Sequence, residues 1–546
     1  MIRGIVTTIE IVILSVLILA TRYANYQDVF IAGNVYFSDA DCYARMTRVG
    51  LVSAKPGLIV RHHDFEDFPQ GTTPHTTAPL DYLILGLSHL LKPFTTQPLD
   101  LAGAFISPLL GLFGGWFLWF WSRQMKFRYR WVALILYAIS PILVHGTELG
   151  RPDHQSLSIL FVTIAICAEW SFQNLEATRI PTDGTRESRT GWQSCTWPSV
   201  SAVAWALAIW VSAYEPLVLF IILMVTTFVM NRRELLGPDR RRGWILFAAI
   251  IVIALLIERR LPSFAIFESN AVFNNWARTV GELAHVSPAN PIWLRWCGYL
   301  LLVAPFFIWM NIKTQRDGAP LFDFVQGKVG RALPMYVLLI VTYFLTIWQA
   351  RWAYFFGLMF AVTLPALLAP IKSGVAVWVA FVLSMHPILR NWDERLWPNE
   401  AELARRVEQR IESVQIRDLV LSLRSSDVHP FLAPWWLSPS IAYWSGQPGV
   451  AGSSHESLSG IEDSALFYLS EDLQKERRIL QNHRVAWVLA YDSERVAQNS
   501  AAILNESPPV HSLCRVLDRT PSQAPPFLIF SAQNVACKLY RVAIEW

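Results

Sequence analysis

Four short segments carry the side chains that could do chemistry. In Tyr36-Phe37-Ser38-Asp39-Ala40-Asp41-Cys42-Tyr43, two carboxylates stand two residues apart between aromatics. Such a pair can offer oxygens to a divalent cation or accept a proton; a solvated loop is the plainer reading. Glu148-Leu149-Gly150-Arg151-Pro152-Asp153-His154 sets an Arg, an Asp and a His in a tight turn between two apolar runs. Charge placed there costs desolvation, which implies a task; the plainer alternative is a hairpin in which Asp153 caps the next helix. Thr279-Val280-Gly281-Glu282 is by itself an ordinary tetrapeptide with a surface glutamate, and Glu268 in the same loop competes with it. Gln349-Ala350-Arg351-Trp352 puts an arginine between two apolar runs, where it either snorkels to the headgroups or holds a phosphate in its guanidinium fork.

The elements that would position these groups are membrane helices. The chain is 53% hydrophobic and 16% charged, too little polar surface for a soluble enzyme of this length. Apolar runs lie near residues 4–21, 101–121, 131–147, 155–172, 199–213, 216–231, 244–258, 293–311, 333–349, 352–370 and 374–390, giving an expectation of about 11 transmembrane helices. The first run lacks a small-residue cleavage site and reads as a retained helix. The shorter run Pro79–Leu91, with Asp81 and His89, suits a helix lying in the interface.

Charge orients these helices. With the N-terminus cytoplasmic, the loops 122–130, 173–198, 232–243 and 312–332 fall on one side and carry the basic residues, Arg240, Arg241 and Arg242 among them. The loops 22–100, 148–154 and 259–292 fall on the other side, together with everything after residue 390. The positive-inside rule then places all four chemical segments on the outer face. The net charge of +4, without a basic stripe, excludes a nucleic-acid partner.

Residues 1–390 thus read as a transmembrane domain and 391–546 as an extracytoplasmic α/β domain. In the latter, a charged helical stretch, Glu400–Leu423, precedes strand-like runs at Val485–Ala490 and Phe527–Phe530. Cys514 and Cys537 share this domain, where oxidation is permitted, so a disulfide and two separate buried thiols are both open.

On one shared face, the acidic groups and the arginine would form a single pocket. Asp41, Asp153, His154 and Glu282 would hold a divalent cation, Mg2+ or Mn2+, and Arg351 would anchor a pyrophosphate. Such a site could stabilise a pyrophosphate leaving a sugar.

In this order the segments resemble the catalytic subunit of oligosaccharyltransferases of the bacterial type, membrane glycosyltransferases of the C-type fold. The resemblance implies that Asp41, helped by Asp39, is the catalytic acidic residue of the first outer loop. It implies that Gly150-Arg151-Pro152-Asp153-His154 is the second acidic motif, that Thr279-Val280-Gly281-Glu282 supplies a catalytic and metal-binding glutamate, and that Arg351 binds the donor pyrophosphate. Pro434-Trp435-Trp436-Leu437-Ser438 resembles the family's acceptor-binding Trp-Trp-Asp signature, with Trp435 and Trp436 in place. Leu437 replaces the aspartate and cannot accept a hydrogen bond from a Ser or Thr hydroxyl; Ser438 is the nearby polar candidate to take over. His154 and Gln155 follow Asp153 where a further acidic residue is common in the family.

The expected function is transfer of a glycan from a polyprenyl-(pyro)phosphate carrier, at the inner membrane and on its outer side, to an asparagine of an acceptor protein or peptide. The first alternative keeps the fold and changes the acceptor to a hydroxyl of a protein, lipid or polysaccharide. A second is a transporter, for which Glu215 in Tyr214-Glu215-Pro216 is the pointer.

Overall fold

The computed structural model describes residues 2–176, 192–260, 270–316 and 328–544. Glu268 lies outside the described residues, as do parts of the loops 173–198 and 312–332. Helices dominate, and a small sheet appears only in the C-terminal region.

Among the described residues, Gly4–Arg22, Pro98–Gln124, His154–Asn174 and Ala350–Leu368 are long and apolar enough to cross a membrane; the bent pair Gly374–Ser384 and His386–Leu396 makes a fifth. The remaining apolar helices, such as Arg130–Ile139 and Ala332–Trp348, are shorter. Among the described residues, length and composition thus pick out four or five spans of the expected 11, and six shorter apolar helices lie outside that measure. Elsewhere the backbone breaks an apolar run. The run 131–147 is split because Pro141 disfavours helical geometry at Ser140 (φ −60°, ψ 118°), leaving Arg130–Ile139 and Pro141–His145.

A break inside an apolar region strands carbonyl groups. Arg22, fully buried at the end of the first helix, takes them: Nη1 donates to Ala138 O at 2.5 Å and Nη2 to Tyr137 O at 3.1 Å. Its Nε donates to Thr147 Oγ1 at 3.2 Å. A second arginine also turns inward. Arg240, one of the basic residues that orient the chain, reaches the fully buried Glu169 through Nη1 at 2.6 Å and Nη2 at 2.9 Å. This joins Pro238–Glu258 to the span His154–Asn174.

The C-terminal region opens with Glu400–Val420, whose first turn is capped by Asn399 Oδ1 accepting from Glu402 N at 2.9 Å. A four-stranded sheet follows in the order Phe431–Leu432, Trp487–Ala490, Lys538–Val542, Leu528–Gln533. The first pair is parallel, with Phe431 opposite Trp487, and the other two are antiparallel. Two of its strands lie at the expected 485–490 and 527–530 positions. One buried apolar cluster runs from Tyr36, Phe37 and Met46, in the segment after the first helix, into Phe431, Ile441 and Trp444, so the C-terminal region rests directly on that segment. No disulfide joins Cys514 to Cys537. Both are buried thiols with local partners, Cys514 Sγ near Ser493 O at 3.7 Å and Cys537 Sγ near Asn534 Oδ1 at 3.6 Å.

Candidate active site

Backbone contacts bring the separate motifs into register. Asp39 caps the helix Ala40–Ala54, its Oδ1 accepting from Cys42 N at 3.0 Å, which places Asp41 in the first turn. Ser38 N donates to Gly150 O at 2.9 Å, and Gly150 N to Ala104 O at 3.0 Å, so Asp39 and Arg151 are held beside each other. Gly150 sits at φ +74°, and a Cβ there would fall 2.6 Å from Val29 Cγ2; only glycine fits. Farther along, Ala350 N donates to Ala284 O at 2.9 Å and Val286 N to Ile347 O at 3.1 Å. These bonds tie the Glu282 turn to the Arg351 turn.

Arg151 is the hub. Its Nη2 lies 2.9 Å from Asp39 Oδ2 and 3.1 Å from Glu282 Oε1, and its Nη1 is 3.2 Å from His145 Nε2. Glu282 also accepts from Tyr354 Oη at 3.0 Å and, through Oε2, from Gln155 Nε2 at 2.8 Å. Asp153 Oδ1 accepts from His154 N and pairs with His154 Nδ1, both at 2.7 Å. Burial alone would raise the Asp153 carboxyl, but the His154 ring and Arg151 hold it well below the usual carboxylate range.

Asp41 behaves oppositely. Desolvation by the surrounding protein, then the like charges of Asp39 and Asp153, push its carboxyl up to about 8, against a hydrogen bond from Ser453. Its side chain is exposed at the surface, and the like charges of Asp39 and Asp153 act alongside the desolvation. Asp41, Asp153 and His154 line one small cavity with Arg45, His75 and Ser453. Next to it, His154, Gln155, Glu215, Arg351 and Tyr354 line a second. Five of the expected residues, Asp41, Asp153, His154, Glu282 and Arg351, therefore form one connected neighbourhood, and Arg151 links Asp39 to it.

Arg351 is paired rather than free. Its Nη2 lies 2.5 Å from Glu215 Oε1, while Glu215 Oε2 accepts from Ser212 Oγ at 2.8 Å. Arg351 Nε is buried without a partner. Sequence reading treated Glu215 as a transporter pointer; its place just before Pro216 at the start of Tyr214–Leu236 puts it at a helix mouth facing the site.

Two members of the expected metal set, Glu282 and Asp153, already hold protein donors. Both Glu282 oxygens already accept from Arg151, Tyr354 and Gln155, and Asp153 Oδ1 holds His154. Among the described residues, the one group of three ligand atoms lying within 4.8 Å of one another is His75, His455 and Glu456. Glu456 Oε1 is 2.8 Å from His75 Nδ1 and 3.4 Å from His455 Nε2, while the buried Glu456 Oε2 has no partner. Burial holds the His455 ring down to about 4, so it is neutral at physiological pH, as a ligand must be. The His75 ring lies 6.0 Å from that of His154. These three residues, which sequence reading missed because they come from two distant segments, fit a cation.

The two tryptophans part company. Trp435 Nε1 donates to Asn499 Oδ1 at 2.8 Å, and its ring meets Trp276 edge-on at 5.7 Å. Trp436 and Leu437 instead line a cleft of 530 Å³ that also exposes Asp39, Tyr43 and Trp444. Ser438 does not take over from an aspartate: it is buried, with its Oγ donating to Ala433 O and Pro434 O, each at 3.3 Å.

Solved structures share this arrangement of elements. The Archaeoglobus fulgidus oligosaccharyltransferase tethered with an acceptor peptide containing the NVT sequon superposes with a TM-score of 0.66 at 12% identity, over 90% of this chain and 70% of that one. The same protein in complex with Zn and sulfate gives 0.64 at 15% identity, over 97% and 73%. ArnT from Cupriavidus metallidurans bound to undecaprenyl phosphate gives 0.53 at 12% identity, over 98% and 97%. This is the C-type membrane glycosyltransferase fold. No protein-family model and no curated protein sequence matches the chain. The chain is thus similar in fold to these proteins, and its own chemistry must be argued from its own side chains.

Proposed function

We propose that this chain is a membrane glycosyltransferase that moves a glycan from a polyprenyl-(pyro)phosphate carrier to an acceptor on the outer side of the inner membrane. The observation that carries the reading is the convergence of Asp41, Asp153 and His154 on one cavity, Arg351 on the next, and Arg151 bonded to Asp39 and Glu282, in a fold shared with proteins solved with dolichol phosphate and undecaprenyl phosphate. The 530 Å³ cleft along Asp39, Trp436 and Leu437 gives an acceptor its approach.

In this reading the acceptor nucleophile attacks the anomeric carbon from the face opposite the phosphate. The new bond forms as the C–O bond to phosphate breaks, with inversion, and the bonding pair leaves on the phosphate oxygen. Asp41, with Asp39 beside it, accepts hydrogen bonds from the acceptor and takes its proton. Arg351 holds the departing phosphate. His75, His455 and Glu456 would hold a cation, which supplies positive charge beside His154. A His2Glu set suits zinc or manganese better than magnesium, which prefers oxygen ligands.

Asparagine of a protein is the first acceptor reading. A hydroxyl of protein, lipid or polysaccharide is the second, favoured by Leu437 and by the inward turn of Ser438. Mass spectrometry of envelope proteins and glycolipids, with and without this chain, tests both. A glycan that survives mild base supports an amide linkage, loss by β-elimination supports serine or threonine, and no difference in any fraction refutes transfer. The orientation and the division near residue 390 are tested by alkaline phosphatase fused after Arg395: activity is expected, and silence there with an active cytoplasmic reporter would reverse the topology.

A further inference from the structure

We infer that the Arg151 guanidinium is the built-in cation of the acidic centre, standing where a divalent metal ion would otherwise join Asp39 and Glu282. Two carboxylates from segments more than two hundred residues apart meet only through this one side chain, Nη2 at 2.9 Å from Asp39 Oδ2 and 3.1 Å from Glu282 Oε1. A bridging metal requires the lone pairs that these contacts occupy. Glu282 has one of its four lone pairs left: Oε1 accepts from Arg151 and Tyr354, and Oε2 accepts from Gln155. Gln155 presents its amide N–H, a donor, at the position where a further carboxylate would have added a ligand.

Arg151 is also built to stay. Its side chain is 7% exposed, its backbone is set by Gly150 at φ +74°, and its carbonyl accepts from Ser107 Oγ. A buried guanidinium flanked by two carboxylates keeps its charge at any physiological pH. It therefore fixes one positive charge at the centre without depending on metal supply. The cation site at His75, His455 and Glu456 is separate and shares no residue with it. The consequence for catalysis rests on the transfer reading above: Arg151 acts as a positioning residue that holds Asp39 and Glu282 and offsets their charge beside Asp41.

Manganese binding to the purified full-length chain, followed by electron paramagnetic resonance, tests this without an activity readout. A His455→Ala background removes the neighbouring site from the count. There, Glu282→Gln is expected to leave Mn2+ binding unchanged within twofold. Arg151→Ala is expected to create a Mn2+ site, and Arg151→Ala/Glu282→Gln to lose it again. Tenfold weaker binding in Glu282→Gln alone would show a metal already on Glu282 and overturn the inference. So would an Arg151→Ala protein that gains no site. If Arg151→Ala does not fold, the Glu282→Gln comparison still decides, and Arg151→Lys, which keeps the charge, must continue to exclude Mn2+. Absence of glycan transfer would refute the enzyme reading alone and leave these binding results standing.

Discussion

Arg351 Nη2 lies 2.5 Å from Glu215 Oε1, and the guanidinium rests 5.5 Å from the centre of the Tyr214 ring. The arginine expected to wait for a phosphate is thus already held by a carboxylate from the mouth of another helix. A phosphate that reaches it must share or displace Glu215.

This pairing separates binding from stability. Arg351→Ala should weaken binding of a polyprenyl phosphate about tenfold to hundredfold, the loss of one charge-assisted contact. It should also lower stability by on the order of 3–5 kcal/mol, because the buried Glu215 loses its counter-charge. Arg351→Ala/Glu215→Gln should recover most of the stability and none of the binding. Glu215→Gln alone should bind the donor as tightly as the wild type or more so. Thermal midpoints with and without donor read all four proteins; unchanged donor affinity in Arg351→Ala would leave the pair purely structural.

The cleft residue Leu437 separates the acceptor readings. Leu437→Asp puts a carboxylate beside Trp436 and Asp39. If the acceptor is an Asn-x-Ser/Thr peptide, preference for Thr over Ala at the third position should rise by at most about 2 kcal/mol. If the acceptor is a hydroxyl outside such a peptide, the unpaired charge should only reduce transfer. Rates with Asn-x-Thr, Asn-x-Ala and Asn-free peptides distinguish the two.

Arg240 and Glu169 form an ion pair with side chains 7% and 0% exposed. Arg240→Ala should destabilise the helical domain by on the order of 3–5 kcal/mol by leaving Glu169 buried and charged. Arg241→Ala, a neighbouring arginine with an exposed side chain, should stay within about 0.5 kcal/mol of the wild type. Thermal unfolding in detergent checks the contrast.

Glu476 gives the C-terminal region a pH dependence. Burial on the helix Leu473–Asn482, with Asp472 adding and a Ser470 hydrogen bond opposing, raises its carboxyl from 4.5 to about 7, and its Oε2 has no partner. The folded state therefore binds this proton more tightly than the unfolded state. The associated stability is fully present below the ordinary value near 4.5 and is lost as pH rises through about 7. Glu476→Gln should match the wild type near pH 4.5. At pH 8 it should be more stable by on the order of 1–3 kcal/mol. Equal midpoints at pH 8 would place this carboxyl in an ordinary, hydrated setting.

The sequence by itself determined the helical class and marked the short segments whose side chains could do chemistry. Those features are local: apolar content, charge bias and turn composition act within a few residues, and Asp39, Asp41 and Asp153 were legible for that reason, while Glu282 stood out only through the family resemblance. Tertiary structure decided what those groups do. Pro141 broke an apolar run that composition counts as continuous, Arg240, which read as a basic loop residue, became the buried partner of a carboxylate, and Arg22 became the buried partner of carbonyls. Glu215 met Arg351, and Glu456 gathered His75 and His455, across separations that leave no periodic trace in the chain. Arg151 is the clearest case. Its presence beside Asp153 is written in the sequence, but its lodging between Asp39 and Glu282 depends on three segments folding onto one another. Which positive group a carboxylate meets depends on what the folded chain places within its reach, and only packing fixes that.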